Sequence, residues 1–400
     1  MDESREDKLI TRNFVLLFGA HFVQAFGYSS LLLFPVYLDH LGASRAEIGS
    51  IMAVAAIGSL ALRPVVAWAL DSIGRKPVLI AGTVILVAAM LLIGLVDHAG
   101  GMAYTSRILF GVAAGALFPG YFALAADIVP EGRRTEGLAV FGLGGLLPLA
   151  FNGVVQRIGI EPAHLGLFFP AIGVFILSSL LMLAPIKETT SLAVKKKRTL
   201  RQVLGAMWIR PLWPVWFSTV LFSLLVSVFM TFVTVCAEKR MVSDPASLWI
   251  TYAAGAAMVR ILGARLPDRI GTHNMVAPSI GFYILGIVIA SRSLTMDGFL
   301  LGGFLAGIGH GYCFPVLTSQ MISRVDKDLR GSGMASFTAA WEMVSLMLTP
   351  LFGLLADRQG DTIMFLVAAS IAAGGLLLWV IAEHRWADSV KAPAPERDTP

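Results

Sequence analysis

A twelve-residue pattern occurs twice in this chain, first as Arg63-Pro-Val-Val-Ala-Trp-Ala-Leu-Asp71-Ser-Ile-Gly74 and again as Arg260-Ile-Leu-Gly-Ala-Arg-Leu-Pro-Asp268-Arg-Ile-Gly271. In both copies an aspartate follows the arginine by eight residues and a glycine follows the aspartate by three. Two further blocks repeat in nearly the same register: Gly111, Gly115 and Phe118-Pro119 match Gly307, Gly311 and Phe314-Pro315, and Arg134, Gly137 and Ala139 match Arg330, Gly333 and Ala335. Three blocks in register predict a duplicated structural unit.

The composition places this duplicated unit in a membrane. Hydrophobic residues make up 56% of the 400 residues and charged residues 14%, whereas an ordinary globular domain carries about 25% charged residues. So little polar surface cannot cover a globule in water, which excludes a soluble enzyme, a nucleic-acid-binding module and a secreted scaffold. The two cysteines are too few for a disulfide framework, and no Cys/His motif indicates a metal site.

Apolar segments of the length of a spanning helix, about 20 residues each, follow one another along the chain. The twelve candidates are residues 13–38, 47–70, 78–96, 103–128, 137–157, 166–185, 212–236, 247–266, 275–292, 298–323, 332–356 and 362–383. The first is too long for the hydrophobic region of a cleaved signal peptide, so we predict that it is retained. The predicted fold is an all-α membrane protein with 12 transmembrane helices in two pseudo-symmetric six-helix bundles.

These spans divide the chain into five parts. The predicted parts are a tail of residues 1–12, a six-helix bundle of 13–185, a polar linker of 186–211, a second bundle of 212–383 and a tail of 384–400. With the N-terminus in the cytoplasm, 22 of the 31 Lys and Arg residues lie in cytoplasmic segments and six lie on the opposite side. This asymmetry indicates that both termini are cytoplasmic. We interpret the linker run Lys195-Lys196-Lys197-Arg198 as solvated, with contact to lipid headgroups as the alternative.

The loop after the second span resembles a motif of the major facilitator superfamily. Asp71-Ser-Ile-Gly74-Arg75-Lys76 is similar to the family's G-x-x-x-D-R-x-G-R-R/K, with Ala67 in place of the first glycine and Ser72 in place of the first basic residue. Arg107-Ile-Leu-Phe-Gly111 resembles the R-x-x-x-G pattern of the family's fourth helix. Gly144-Gly145-Leu-Leu-Pro148 departs from the family's antiporter motif, which normally includes Gly-Pro. The resemblance covers nearly the whole chain and is greatest to bacterial efflux-type members with 12 helices.

The resemblance implies that this loop is a conformational gate, in which charged side chains bridge neighbouring helix ends. The gate residues would be Asp71, Gly74, Arg75 and Lys76, with Asp268, Arg269 and Gly271 as the second-half copy. Gly74 suits a tight turn, where a side chain would resist a positive φ. The alternative is an ordinary basic cytoplasmic loop.

Several charged residues lie deep enough in the spans to need a partner or a cavity, because a bare charge is costly there. We expect Arg63 and Arg260 to form structural ion pairs near the gate, for instance with Asp127, and snorkelling to the interface is the alternative. The resemblance implies a part for Arg107 in proton transfer or substrate positioning; snorkelling to the outer headgroups is as good an account. Asp127 is also a candidate for proton coupling.

Glu342 is the main candidate for proton coupling. It lies near the middle of the eleventh span, with Ser345 and Thr349 on the same helical face. A buried carboxylate is shifted toward its neutral form, so one exposed alternately to either side of a membrane can load and release a proton. His310 could share such a relay because histidine titrates near neutrality. A structural ion pair or hydrogen bond for Glu342 and a packing role for His310 are the alternatives.

Two polar stripes are candidate substrate contacts. His21, Gln24 and Tyr28 share one face of the first span, and Ser227 and Thr231 share one face of the seventh. The resemblance implies that these two helices line the central cavity. Hydrogen bonding between helices is the alternative reading of both stripes.

Together these residues predict a secondary active transporter that works by alternating access, most plainly a proton-coupled exporter of a small organic molecule of drug, natural-product or metallophore type. The alternatives are a proton symporter or facilitator importing a nutrient such as a sugar or organic acid, and a membrane sensor on a transporter scaffold. No motif for covalent chemistry or phosphate binding is present in the sequence. We therefore expect no enzyme activity, no cofactor besides a proton gradient, no metal and no nucleic-acid partner. The expected setting is a monomer in the bacterial inner membrane, with a small molecule, lipid and protons as partners.

Overall fold

The computed structural model describes residues 8–130, 134–187, 212–263, 266–325 and 330–391, and their regular secondary structure is entirely helical. The first half, residues 8–187, contains α1 (Arg12–Ser30), α2 (Phe34–His40), α3 (Arg45–Ala53), α4 (Ala55–Ser72), α5 (Arg75–Ile93), α6 (Gly101–Ile128), α7 (Arg134–Leu146), α8 (Phe151–Arg157), α9 (Leu165–Ile176) and α10 (Ser178–Leu183). The second half, residues 212–391, contains α11 (Trp213–Lys239), α12 (Leu248–Ile261), α13 (Leu266–Ile270), α14 (Thr272–Arg292), α15 (Met296–Ser323), α16 (Arg330–Gln359) and α17 (Asp361–Lys391).

Within the described residues, 10 helical segments are long and apolar enough to cross a membrane. They coincide with ten of the twelve predicted spans, and the predicted all-helical membrane class is confirmed. The predicted span 137–157 is interrupted, since a short 3-10 turn containing Pro148 separates α7 from α8 and proline cannot donate the hydrogen bond that a continuous helix needs. The predicted span 247–266 is shorter than expected because α12 ends at Ile261.

The predicted boundaries between tails, bundles and linker stay predictions. Of the linker, the structure describes only residues up to 187, and the run Lys195-Lys196-Lys197-Arg198 lies outside the described residues.

The repeated sequence pattern ends in the same backbone geometry in both halves. Gly74 has φ 120° immediately before α5, and Gly271 has φ 90° immediately before α14. Glycine adopts positive φ without the steric cost that a Cβ would bring. The duplication seen in the sequence is therefore also present in the turns that it encodes.

Equivalent glycines hold equivalent helix pairs together in the two halves. Gly111 of α6 lies against the backbone carbonyl of Ala55 in α4, and Gly307 of α15 lies against that of Tyr252 in α12. A Cβ added at either glycine would overlap the neighbouring carbonyl. Small residues at such positions let two helix backbones approach closely, which substitutes for the missing hydrophobic driving force inside a bilayer.

The halves meet along two seams, where α3 and α4 contact α16 and where α7 and α8 contact α12. Close packing marks one end of the first seam: a Cβ added at Gly49 would lie 2.6 Å from the Thr349 carbonyl oxygen, and Gly353 lies against the Arg45 carbonyl. We call this the Arg45 end of the molecule. The opposite end, where Gly74 and Gly271 lie, is called the Arg75 end.

Candidate functional site

An ion pair joins the two halves well inside the helices of the first seam. Arg63 of α4 lies with its Nη2 atom 2.7 Å from Oε2 of Glu342 in α16. The other carboxylate oxygen of Glu342 accepts a hydrogen bond of 2.8 Å from the Ser59 hydroxyl. About a quarter of each charged side chain is exposed, 24% for Arg63 and 26% for Glu342. The pair is therefore accessible from the seam between the halves rather than sealed in a core.

Arg63 also binds the backbone of the opposite half. Its Nη1 atom donates to the Ala335 carbonyl oxygen at 2.7 Å and to the hydroxyl of Thr338. The structure thus brings together Arg63, expected to form an ion pair, and Glu342, expected to be a proton carrier. A carboxylate in an ion pair that bridges two moving bodies can couple its own protonation to their separation, because protonation removes the Coulomb attraction.

Arg260, the repeat equivalent of Arg63, has a different environment. Its Nε atom donates to the Gly311 carbonyl oxygen at 3.4 Å, and its Nη1 atom lies 3.5 Å from a Cβ added at Gly142 of α7. Among the described residues no carboxylate lies within ion-pair distance of its guanidinium. The expected partner Asp127 instead pairs with Arg75 in the first half, at 3.3 Å.

His310 belongs to an aromatic cluster of the second half. Its Nδ1 atom is 2.6 Å from the hydroxyl oxygen of Tyr252, and its ring centroid lies 5.4 Å from Phe222 and 6.2 Å from Trp341. The structure does not bring His310 into hydrogen-bond contact with Glu342 among the described residues. The hydroxyl partner and the surrounding rings match the packing alternative, and the relay role of His310 stays a prediction.

His21 occupies a matching aromatic cluster of the first half. Its ring stacks on Phe141 at 4.7 Å between centroids and lies 5.0 Å from Tyr121. Gln24 is fully buried on the same helix, and Tyr28 packs edge-on against Phe110 at 5.7 Å. These residues form one stripe, as expected from their spacing, and their contact with a substrate stays a prediction.

The other candidate positions are buried within single halves. Ser227 and Thr231 lie on α11 with exposures of 7% and 6%. Arg107 donates from Nη2 to the Met52 carbonyl oxygen at 3.1 Å, and its guanidinium carbon lies 4.6 Å from the ring centroid of Phe110. A guanidinium over an aromatic face gains electrostatic stabilisation, and Arg107 is buried within the first half. Its role in proton transfer or substrate positioning stays a prediction.

The loop motif fastens helix ends within the first half. Arg75 donates from Nη1 to the Leu70 carbonyl oxygen at 2.5 Å in addition to its ion pair with Asp127. Lys76 donates to the carbonyl oxygens of Ala184 and Ile186 at 2.6 and 3.0 Å. Arg269 is exposed. The side chains of Asp71 and Asp268 lie outside the described residues, so the gate stays a prediction.

A second charged cluster, not anticipated from the sequence, joins the halves at the Arg45 end. The side chain of Arg45 is almost fully buried and pairs with Asp39 at 2.6 Å and with Asp361 at 3.0 Å. Both carboxylate oxygens of Asp357 accept backbone N–H groups of α3, from Arg45 at 2.7 Å and from Ala46 at 2.8 Å. We call Asp39, Arg45, Asp357 and Asp361 the Arg45 cluster. The only hint in the sequence is that Ser44 and Glu47 have the spacing of a helix-capping pair.

The second seam is also closed at this end. Gln156 of α8 donates to Glu238 at 3.0 Å and accepts the backbone N–H of Ala246 at 2.7 Å. Cross-half hydrogen bonds between described residues thus lie at the Arg45 end and at the level of Arg63. Within the described part of the chain, no group of three His, Cys, Asp or Glu side chains has the arrangement of a metal site.

Comparisons with known proteins match this chain to one family, to resistance proteins and to solved transporter structures. A family model described as Major Facilitator Superfamily matches residues 16–345. The quinolone resistance protein NorA of Staphylococcus aureus (strain MSSA476) is 22% identical over 364 residues, which cover 88% of this chain and 91% of that protein. The multidrug resistance protein 2 of Bacillus subtilis (strain 168) is 24% identical over 305 residues, covering 72% of this chain and 74% of that protein.

Solved structures share the fold at low sequence identity. The nucleoside transporter NupG superposes with a TM-score of 0.72 at 15% identity, covering 93% of this chain and 99% of that one. A bacterial homolog of the human lysosomal transporter Spinster superposes with a TM-score of 0.73 at 13% identity, covering 98% of this chain and 100% of that one.

Proposed function

The chain belongs to the major facilitator superfamily and is a multi-pass cell-membrane transporter of a small molecule, and from this premise we propose that it exports a small organic molecule in exchange for protons. The two halves rock against each other around a site near mid-membrane. A single chain supplies both halves, so we propose that the monomer is the working unit. The energy source is a proton gradient, with no resident cofactor.

The Arg63–Glu342 ion pair carries this proposal. It links α4 to α16 across the seam at 2.7 Å, so the charge state of Glu342 acts on the contact between the halves. Deprotonated Glu342 holds Arg63 and keeps the seam closed at this level. Protonated Glu342 releases Arg63, because the neutral acid offers only a weaker hydrogen bond.

The distribution of basic residues gives the orientation of the proposed cycle. In the predicted topology, 22 of the 31 Lys and Arg residues belong to segments on the same side of the membrane as Arg75, so the Arg75 end is proposed to face the cytoplasm. The Arg45 end then faces outward, with the Arg45 cluster closing it. In this orientation the structure corresponds to a state closed to the outside, in which a cytoplasmic solute enters from the Arg75 end.

The similar proteins support an exporter over an importer. The names of two relatives describe resistance, one to quinolones and one to multiple drugs. For a membrane transporter, export of the compound from the cell is the activity that accounts for such resistance. Gly144-Gly145-Leu-Leu-Pro148 departs from the antiporter motif, which weakens the resemblance to classical drug/proton antiporters. The proposed proton coupling is therefore assigned to Glu342 and not to that helix.

The test uses the full chain in proteoliposomes that contain a pH-sensitive dye. Norfloxacin, a quinolone, and ethidium are added as probes under an imposed pH gradient, and both probe flux and proton flux are recorded. We expect opposite fluxes of probe and proton in the wild type. Glu342→Gln should lose proton-driven flux but keep probe exchange across the membrane without a gradient.

The control is Glu161→Gln, which alters an exposed carboxylate outside the seam and should transport like the wild type. Proton-driven flux at the wild-type rate in Glu342→Gln overturns the role of Glu342. Probe and proton moving in the same direction would instead identify the importing alternative.

A further inference from the structure

The two repeat-related arginines at the seams have opposite surroundings. Arg63 reaches across the first seam to α16, and Arg260 reaches across the second seam to α7. The glycine beside the Arg260 guanidinium, Gly142, is the repeat equivalent of Thr338, which accepts a hydrogen bond from Arg63. The two arginines therefore occupy the same place in their halves and face the same place in the opposite half.

Every side-chain partner of Arg63 is missing at the Arg260 site. At the repeat spacing of the surrounding blocks, Ser59 corresponds to Ala256, Thr338 to Gly142 and Glu342 to Leu146. A hydroxyl, a second hydroxyl and a carboxylate are thus replaced by two small residues and one aliphatic residue. The arginine is retained while its anion and its hydrogen-bond acceptors are removed.

The retained guanidinium keeps its charge and its donors. Arginine stays protonated under all physiological conditions, and it carries five N–H donors in a planar fork. The hydrogen bond from Nε to the Gly311 carbonyl oxygen occupies one of them. Arg260 is half-buried, and an unpaired charge within a membrane protein faces a water-filled cavity or awaits a partner.

Arg107 has no carboxylate partner among the described residues either, but it does not lie at a seam between the halves. It is 5% exposed and covered by Phe110 and by the Met52 carbonyl within the first half. Arg260 instead lies at the seam between the halves, where its Nη1 atom meets α7. Only a group at such a seam is exposed in turn as the halves rock.

An aromatic ring approaches the same glycine of α7 as the Arg260 guanidinium does. Phe122 of α6 is half-buried and lies 3.9 Å from a Cβ added at Gly142, the same position that Arg260 approaches at 3.5 Å. Phe122 is itself packed on Phe118, with 4.9 Å between ring centroids. A cation from the second half and an apolar ring from the first half therefore both approach Gly142.

We propose that Arg260 recognises the anionic group of the transported molecule, and that the substrate class is an amphipathic organic carboxylate whose apolar body lies against Phe122. A carboxylate matches the guanidinium fork with two parallel hydrogen bonds. The substrate carboxylate would pair with Arg260 in the way that the Glu342 carboxylate pairs with Arg63. This assignment rests on the proposed function only in that the seam is the substrate path.

The test measures binding to the detergent-purified full chain with three probes that share one ring system: 2-naphthoate, 2-naphthylmethanol and 2-naphthylmethylammonium. Dissociation constants are taken from the concentration dependence of the thermal unfolding midpoint. The wild type should bind 2-naphthoate about tenfold or more tightly than the alcohol, because a hydrogen bond to a charged group contributes about 1.5–3 kcal/mol. Arg260→Gln should abolish this preference and leave the affinity for the alcohol unchanged, and Arg260→Lys should retain part of it.

A second pair of variants tests the repeat argument without altering Arg260. Leu146→Glu places a carboxylate at the equivalent of Glu342 and should remove the preference for 2-naphthoate, whereas Leu146→Gln, of the same size and uncharged, should keep it. If Arg260→Gln fails to fold, as judged by size-exclusion chromatography, this pair decides the question.

Absence of any preference for the carboxylate in the wild type, or an equal loss of acid and alcohol binding in Arg260→Gln, overturns the proposal. The measurement needs no proton gradient. A failure of proton-coupled export therefore leaves this result interpretable by itself.

Discussion

Arg45 and Asp361 lie 3.0 Å apart across the two halves, although 316 residues separate them in the chain. Asp39, which belongs to the same half as Arg45, provides a second carboxylate for the buried Arg45 guanidinium. Because the side chains of Arg45 and Asp361 are only 3% and 15% exposed, water competes weakly for these contacts. Among the described residues, the most buried ion pair between the two halves therefore lies at the Arg45 end.

Removing the Arg45 charge should open this end. In a Cys313→Ser background, the native thiol of Cys236, buried near this end of α11, becomes the reporter. We expect maleimide labelling of Cys236 to accelerate about tenfold or more in Arg45→Gln, since each lost charge-assisted hydrogen bond contributes about 1.5–3 kcal/mol. Lys239→Gln is the control, because Lys239 is 54% exposed and its contact with Asp39 is 3.5 Å long. Equal labelling rates in Arg45→Gln and Lys239→Gln would show that Arg45 does not hold this end closed.

Arg63 and Glu342 should be energetically coupled. Arg63→Gln and Glu342→Gln each leave an unbalanced charge at the seam, and the double variant leaves none. We therefore expect the double variant to unfold at a higher temperature than the sum of the two single effects predicts, with a coupling of about 1–3 kcal/mol. Additive shifts in the thermal unfolding midpoint would show that the two side chains do not act as a pair.

Close packing at Gly353 should not tolerate a methyl group. A Cβ at this position meets the Arg45 carbonyl backbone, so Gly353→Ala should lower stability by about 1–3 kcal/mol through overpacking. Gly374→Ala on α17 is the matched control, since a Cβ there meets nothing within 4 Å. That change should be neutral or stabilising by about 1 kcal/mol from helix propensity. Similar unfolding midpoints for the two variants would refute the close approach of α3 and α16.

The gate prediction concerns rate rather than affinity. Asp71→Asn removes one charge from the Arg75 end while leaving the seam residues in place. We expect the maximal transport rate to fall with little change in the substrate concentration at half-maximal rate, because an interaction that acts on the conformational step does not contribute to binding. The measurement is initial flux against probe concentration. An unchanged maximal rate would count against the gate.

Features of the fold that depend on residues close together in the chain could be predicted from the sequence. Apolar segments predicted ten of the long helical spans. Gly74 was predicted to lie in a tight turn and has positive φ, and its repeat equivalent Gly271 has positive φ as well. Pro148 interrupts the fifth predicted span for a local reason as well, and the disruption could have been read from the residue. These features depend on neighbours within a few positions in the chain.

The contacts between the halves were beyond sequence reasoning. Arg63 and Glu342 were both singled out as charges that need a reason, but their pairing joins residues 279 apart, and nothing in a single sequence gives the position of one half on the other. Asp127 was named as one possible partner of Arg63 or Arg260 and instead pairs with Arg75, because a single sequence does not give the packing of α6 against α5 either. The Arg45 cluster was missed because its members lie at span ends, where charges are ordinary.

The carboxylate of Asp357 has a consequence for how the molecule can be observed. It caps the first two amides of α3 from the opposite half, while Ser44 caps the third from within its own chain segment. When the halves part at this end, two amide hydrogens at 45 and 46 lose their acceptor and their neighbour at 47 keeps its own. The ratio of deuterium uptake at amides 45 and 46 to that at amide 47 therefore reports how often the Arg45 end opens. It can be measured on the protein without any attached label.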